Sequence, residues 1–256
     1  MFIEYGELST KLYQLTKPVG TSVAGDLEYY YQQLKGIKGK ILEAGVGTGR
    51  VLIPLLKKGL LVEGVDLSQQ MLDQCRANLD KEGLTAALYQ GDLTALNLPC
   101  KYEAIIMPTG SFCLLPKMKI AEILSSFYNH LEPGGKLIVD LELPSWFVKN
   151  EVSVRHCPID DETGIVFTNT AQSIDWFKQK TSYIHRYDLV RNGYVMKTEI
   201  SNFVLHWYGI EEFVLFLEKF MFSNVNYVVG YGKDPDASLV TFIAEKPRKP
   251  RQTTLS

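Results

Sequence analysis

The chain has 256 residues, with 27 Lys plus Arg against 29 Asp plus Glu, 46% hydrophobic and 22% charged residues. These values exclude a disordered or fibrous chain, and a net charge of −2 gives no overall attraction to nucleic acid or an anionic membrane. The apolar runs are far shorter than the ~20 residues of a membrane-spanning helix, and the first ten residues carry no signal-peptide pattern, so a cytoplasmic protein is expected. Cys75, Cys100, Cys113 and Cys157 are scattered without Cys-x-x-Cys spacing, and His130, His156, His185 and His206 form no i, i+4 pair. Neither a disulfide framework nor a metal site is expected, and packing is the role expected of the cysteines.

In chain order, residues 1–39 mix polar residues with tyrosines and predict a helical cap, with a helix over 27–34 bearing Tyr29, Tyr30 and Tyr31. From residue 40 short apolar runs alternate with amphipathic stretches, the pattern of strands joined by helices around a parallel sheet. Strands are predicted over 40–44, 61–66, 86–90, 102–107 and 136–141, and helices over 51–58, 69–79 and 117–131. Two β-rich stretches, 165–190 and 194–208, flank Arg191-Asn192-Gly193, a hairpin signal that predicts an antiparallel insertion after the fifth strand. A helix over 210–222 and strands over 225–231 and 239–244 follow, then a basic, proline-broken tail from Lys246 to Arg251 expected to be solvated.

Chemistry concentrates where the first strand runs into Glu43-Ala44-Gly45-Val46-Gly47-Thr48-Gly49-Arg50. Alternate glycines let a main chain turn sharply and approach a ligand closely. A dinucleotide fold wants Gly-x-Gly-x-x-Gly, and its third glycine is replaced here by Arg50, whose bulk argues against a passing pyrophosphate. The second predicted strand ends in Asp66, placed to accept ribose hydroxyls, with Ser68 able to cap the next helix. The third ends in Gly91-Asp92-Leu93, a second carboxylate at the same sheet edge.

This series, followed by Pro133-Gly134-Gly135 before a strand, resembles the class I S-adenosylmethionine-dependent methyltransferase family over roughly residues 40–143. The resemblance implies one α/β domain: a doubly wound, Rossmann-like, seven-stranded, mostly parallel sheet with a reversed last strand. Its parts would be the cap at 1–39, the cofactor-binding core at 40–143, the antiparallel insertion at 144–208, the last helix and two strands at 209–246, and the tail at 247–256. It further implies that Ala44, Gly45, Gly47 and Gly49 wrap the methionine part of S-adenosylmethionine while Glu43 orients that turn or the amino group. Asp66 would bind the ribose, Leu67 and Met71 would lie against adenine, and Asp92 would accept from the adenine amino group beside Gly91 and Leu93. Met107 and Pro108 would line the methyl group and Thr109 would help receive the acceptor. Tyr13 is a candidate to close the cofactor pocket, and Trp146 and His206 are candidates to contact the acceptor.

The Asn/Asp-Pro-Pro-Tyr/Phe motif of base-amino methyltransferases is absent: the sequence reads Met107-Pro108-Thr109-Gly110-Ser111-Phe112. A small-molecule acceptor is therefore expected, with no nucleic-acid or membrane partner. The tyrosine-bearing N-terminus and the β-rich insertion resemble small-molecule N-methyltransferases, and an amine is the expected acceptor. Transfer is an in-line displacement, to which alignment of the reactants contributes most. A neutral amine attacks directly, so neither a metal nor an assigned catalytic base is required. Competing readings are a catalytically silent cofactor-binding or regulatory protein, and a methyltransferase acting on a hydroxyl or a macromolecule. The insertion either covers the acceptor or forms a homodimer interface.

Overall fold

A computed structural model describes residues 5–248. Two helices, α1 (Glu7–Thr16) and α2 (Asp26–Leu34), precede β1 (Lys40–Ala44), α3 (Leu52–Lys57), β2 (Leu61–Asp66), α4 (Gln69–Lys81), β3 (Leu88–Gln90), β4 (Tyr102–Met107), α5 (Ile120–His130) and β5 (Leu131–Glu142). The strands β6 (Val152–Pro158), β7 (Thr163–Asp175), β8 (Lys180–Arg191) and β9 (Tyr194–His206) follow, then α6 (Ile210–Lys219), β10 (Ser223–Val229) and β11 (Leu239–Glu245).

Seven strands form one sheet in the order β10-β11-β5-β4-β1-β2-β3. Neighbours from β3 to β5 pair in parallel, while β11 runs antiparallel to both β5 and β10, so β11 alone is reversed. Alternation along β5 splits the core between the two faces of the sheet. Leu137, Val139 and Leu141 join Phe127 of α5 and Phe213 of α6 on one face; Ile138 joins Tyr30, Leu34, Leu52 and Leu72 on the other. Strand order turns back between β1 and β4, which opens a crevice at the carboxyl ends of these strands.

The other sheet, β6-β7-β8-β9, is wholly antiparallel. Its β8–β9 turn is Asn192-Gly193 with φ of 49° and 82°, the two left-handed residues that a tight hairpin demands. One face, carrying Ile165 and Tyr187, packs on Leu8 and Leu12 of α1. The Leu8 amide donates to Glu199 Oε2 at 2.8 Å, and Gln14 and Asn78 exchange hydrogen bonds between α1 and α4. Helix α1 thus joins the insertion to α4 of the main sheet.

Four sequence expectations are corrected. The region before residue 40 is more than a cap, because Tyr30 and Leu34 are fully buried in the main core, and α1 was not foreseen. The stretch 165–190 is two strands, β7 and β8, reversing over residues 176–179, with Gln179 at φ 47°. Strand β6, whose exposed Val152 and Val154 show no one-sided burial, was missed. The helix expected over 117–131 begins as a 3-10 turn over Lys117–Lys119 and gives way at Leu131 to β5. Of the basic tail, residues 249–256 lie outside the described residues.

Candidate active site

The carboxyl end of β1 is shaped by its glycines. Gly45, Gly47 and Gly49 have φ of 74°, 54° and 81°, which side-chain-bearing residues rarely adopt. They serve different ends. A Cβ on Gly47 would meet nothing within 4 Å, so its main chain borders open space, whereas one on Gly49 would lie 2.8 Å from Cys75 Sγ. Gly47 is therefore open to a ligand, and Gly49 lets the turn close against α4. The amides of Gly45 and Val46 both donate to Val65 O at 2.8 and 3.0 Å, anchoring the turn to β2.

Asp66, at the end of β2, accepts from Gly47 N at 2.8 Å through Oδ2 and from Ser68 N at 2.9 Å through Oδ1. It thus couples the glycine turn to α4, whose first turn Ser68 caps by accepting from Met71 N. Two accepted bonds leave lone pairs on both oxygens for further donors. Burial raises its pKa, and the backbone donors oppose that rise. Beside it Leu67 is exposed, Met71 is buried, and Asp92 is exposed with Oδ1 accepting from Thr94 N at 2.8 Å. Gly91 is partly buried and Leu93 buried.

Ala44 is buried beneath the turn, as is Glu43, which is 3% exposed with no hydrogen-bond partner on Oε2. Burial pushes its pKa up to about 8; Arg50 opposes the rise, and Asp26 and Asp66 add to it. A buried carboxyl group with a free oxygen beneath a turn of open main chain fits a ligand bearing a positively charged amino group, whose charge favours the ionised form.

Sequence reasoning used Arg50 only for its bulk, but the structure sends its guanidinium out of the turn. Nη2 meets Asp26 Oδ2 at 2.6 Å and Thr109 Oγ1 at 2.8 Å, and Nη1 donates to Thr21 O at 2.8 Å. Both members of the Arg50–Asp26 pair are buried, so the N-terminal segment, the glycine turn and the loop after β4 share one ionic centre. Tyr13 of α1 is partly buried close to Arg50.

Past β4, Met107 and Pro108 are buried and Met107 Cε lies 3.5 Å from a Cβ built on Gly45. Thr109 follows at φ 60°, strained for a β-branched residue, and is fixed by a 2.6 Å bond from its amide to Asp140 Oδ2. Asp140, fully buried in β5, also accepts from Tyr231 at 2.6 Å and Thr241 at 2.7 Å, and burial pushes its pKa up to about 6. Asp26 and Asp140 were missed by sequence reasoning. A lone acid inside the apolar run of β5 was the available signal for Asp140.

The remaining candidates lie outside this cluster. Trp146 is 77% exposed on the connection from β5 to β6. His206 ends β9 with Nδ1 buried and unpartnered; burial and the charges of Lys180 and Lys117 hold its pKa low. The insertion face that carries α1 also holds Phe167, Tyr183, His185 and Phe203, with the His185 and Phe203 rings stacked at 4.4 Å. Burial pushes His185 down to about 4.

The turn, Asp66 and Glu43 thus gather open main chain and two acids at the crevice where the strand order turns back, the place where open α/β sheets bind ligands. Residues 41–135 match the family model of a methyltransferase domain. The dTDP-3-amino-3,4,6-trideoxy-alpha-D-glucopyranose N,N-dimethyltransferase of Streptomyces venezuelae is 32% identical over 108 residues, which are 42% of this chain and 43% of that protein. The chain spans about two fifths of the length of the curated relatives it matches.

Two solved structures extend the likeness of fold. The sugar N-methyltransferase KedS8 from Streptoalloteichus superposes with a TM-score of 0.76 at 18% identity, covering 97% of this chain and 96% of that one. An S-adenosylmethionine-dependent methyltransferase from Clostridium acetobutylicum gives 0.75 at 20% identity, covering 93% and 97%. Residues 41–135 thus resemble a methyltransferase domain, and the fold of the chain is that of S-adenosylmethionine-dependent methyltransferases.

Proposed function

We propose that the protein moves a methyl group from S-adenosylmethionine to a small-molecule amine. The observation that carries this reading is the buried, half-unpartnered Glu43 carboxylate beneath the open Gly47 main chain, beside Asp66. Glu43 and the glycine turn hold the amino-acid end of the cofactor, Asp66 takes the ribose, and Leu67, Asp92 and Leu93 border the base. Bound there, S-adenosylmethionine supplies an electrophilic methyl group on a positively charged sulfur. The loop at Pro108, Thr109 and Gly110, locked by Asp140 and Arg50, gives the acceptor a fixed wall, and alignment does most of the catalytic work.

The aminosugar methyltransferase among the relatives and the sugar N-methyltransferase of similar fold support an amine acceptor. The insertion, joined to the cofactor-side helices through α1, suits a cover over a small enclosed acceptor. The test is calorimetry with S-adenosylmethionine, S-adenosylhomocysteine and NAD, followed by mass spectrometry of an amine panel incubated with labelled cofactor. Tight binding of the first two, weak NAD binding and a gain of one or more methyl groups on an amine are expected. Equal or tighter NAD binding overturns the proposal.

A further inference from the structure

Glu142, the last residue of β5, lies between the elements that bound the acceptor space. Gly110, in the loop after β4, sits so close that a Cβ built on it would be 3.3 Å from Glu142 Cβ and 3.9 Å from Oε2. The Ser238 hydroxyl, just before β11, donates to Oε1. The Glu142 amide donates to Cys113 Sγ at 3.2 Å, which fixes the strand end against the loop. From the insertion, Tyr183 of β8 stands close enough for the Glu142 charge to add to burial in raising its phenol pKa. The side chain is only partly buried, and no cation pairs with it among the described residues. Oε2 accepts no hydrogen bond there.

An unpaired carboxylate that has lost much of its water, set between an acceptor loop and its cover, attracts a cation. Resting on the methyltransferase reading above, we propose that Glu142 is a catalytic residue that selects an acceptor carrying an ammonium group and takes its proton. The proton passes from the acceptor nitrogen to Oε2 and leaves a lone pair on nitrogen. That pair forms the new nitrogen–carbon bond as the methyl–sulfur bond breaks, and the bonding electrons leave on sulfur as a thioether. A hydroxyl acceptor gains no such attraction, so Glu142 discriminates between amines and alcohols of the same shape.

The test uses the full chain saturated with S-adenosylhomocysteine and follows its melting temperature with methylamine, dimethylamine, glycine and 3-amino-3-deoxyglucose, each set against its hydroxyl counterpart. At least one amine should raise the melting temperature where its counterpart does not. Glu142→Gln should weaken that amine about tenfold or more while S-adenosylhomocysteine binds as in the unaltered chain, which also reports correct folding. Glu142→Asp, which keeps the charge, should restore part of the preference. An amine effect that persists in Glu142→Gln overturns the inference, as does a panel in which no amine is preferred. If the unaltered chain binds no S-adenosylhomocysteine, the methyltransferase reading fails. The same comparison on the unliganded chain then supports Glu142 if the preference is present and lost in Glu142→Gln, and overturns it otherwise.

Discussion

The carboxyl edge of the seven-stranded sheet and the four-stranded sheet beside it hold their functional groups by opposite means. At the edge, side chains grip main chain: Asp66 takes the Gly47 amide and Asp140 takes the Thr109 amide. In the insertion, rings pack on rings, as His185 on Phe203 and Tyr183 against Phe147. Main-chain geometry admits few residue types, since only glycine turns freely at positive φ and only short acids reach these amides. A ring-packed face accepts many apolar substitutes. The first arrangement tolerates little substitution, and the second tolerates much.

The comparison breaks most visibly at the buried ion pair. Arg50→Ala leaves Asp26 charged and uncompensated, and urea unfolding should show a loss of ~3–5 kcal/mol, whereas the double replacement Arg50→Met with Asp26→Leu should recover most of it. A loss below ~1 kcal/mol in the single variant would remove the pair from its place as the centre of the edge.

Glu43 gives the next effect, and its sign is fixed. Its pKa in the folded, cofactor-free chain is pushed from 4.5 to about 8, so its contribution to stability is complete below 4.5 and lost as the pH rises to 8. Glu43→Gln, which does not ionise, should gain on the unaltered chain between pH 5 and pH 9 by an amount on the order of a few kcal/mol. Urea midpoints at the two pH values read this directly; a constant gap contradicts it. Asp140 has the same sign over 3.8 to about 6 and is common to both proteins, so it cancels from the difference.

Asp66→Ala should weaken S-adenosylhomocysteine by ~1–3 kcal/mol in calorimetry, because ribose hydroxyls lose a charged acceptor and Gly47 loses its anchor. The smallest shift belongs to the other sheet. Phe203→Ala should leave that affinity within ~0.5 kcal/mol while raising the acceptor KM, and a matching loss of cofactor affinity would show that the two regions are not independent.

The same contrast explains what could be read from the sequence. The glycine turn and Asp66 stand at strand ends in an order and spacing that reveal the sheet and its carboxyl edge. Asp26, Arg50 and Asp140 form a centre whose members lie in three distant segments, and no local pattern announces that they meet. The acid in β5 was visible as an oddity without a partner. Helix α1 has a buried stripe of Leu8, Ser9, Thr10 and Leu12, too mixed to stand out as an apolar face until the insertion covers it. The strand pair β7–β8 was read as one run because its turn, Trp176-Phe177-Lys178-Gln179, lacks glycine and proline and carries two exposed aromatics.

Helix α1 leaves the ribosome long before the groups it docks on are made. Its amide partner, Glu199, lies 191 residues downstream of Leu8, and its apolar partners Ile165 and Tyr187 are also in the insertion. Until β7 and β8 have been synthesised, α1 is a ten-residue helix whose stripe lacks its apolar cover, too short to persist alone in water. The cofactor edge can therefore assemble before its N-terminal closure does. Docking of α1 is a late, long-range step in the birth of the molecule, and a chain truncated before residue 165 emerges with that step undone.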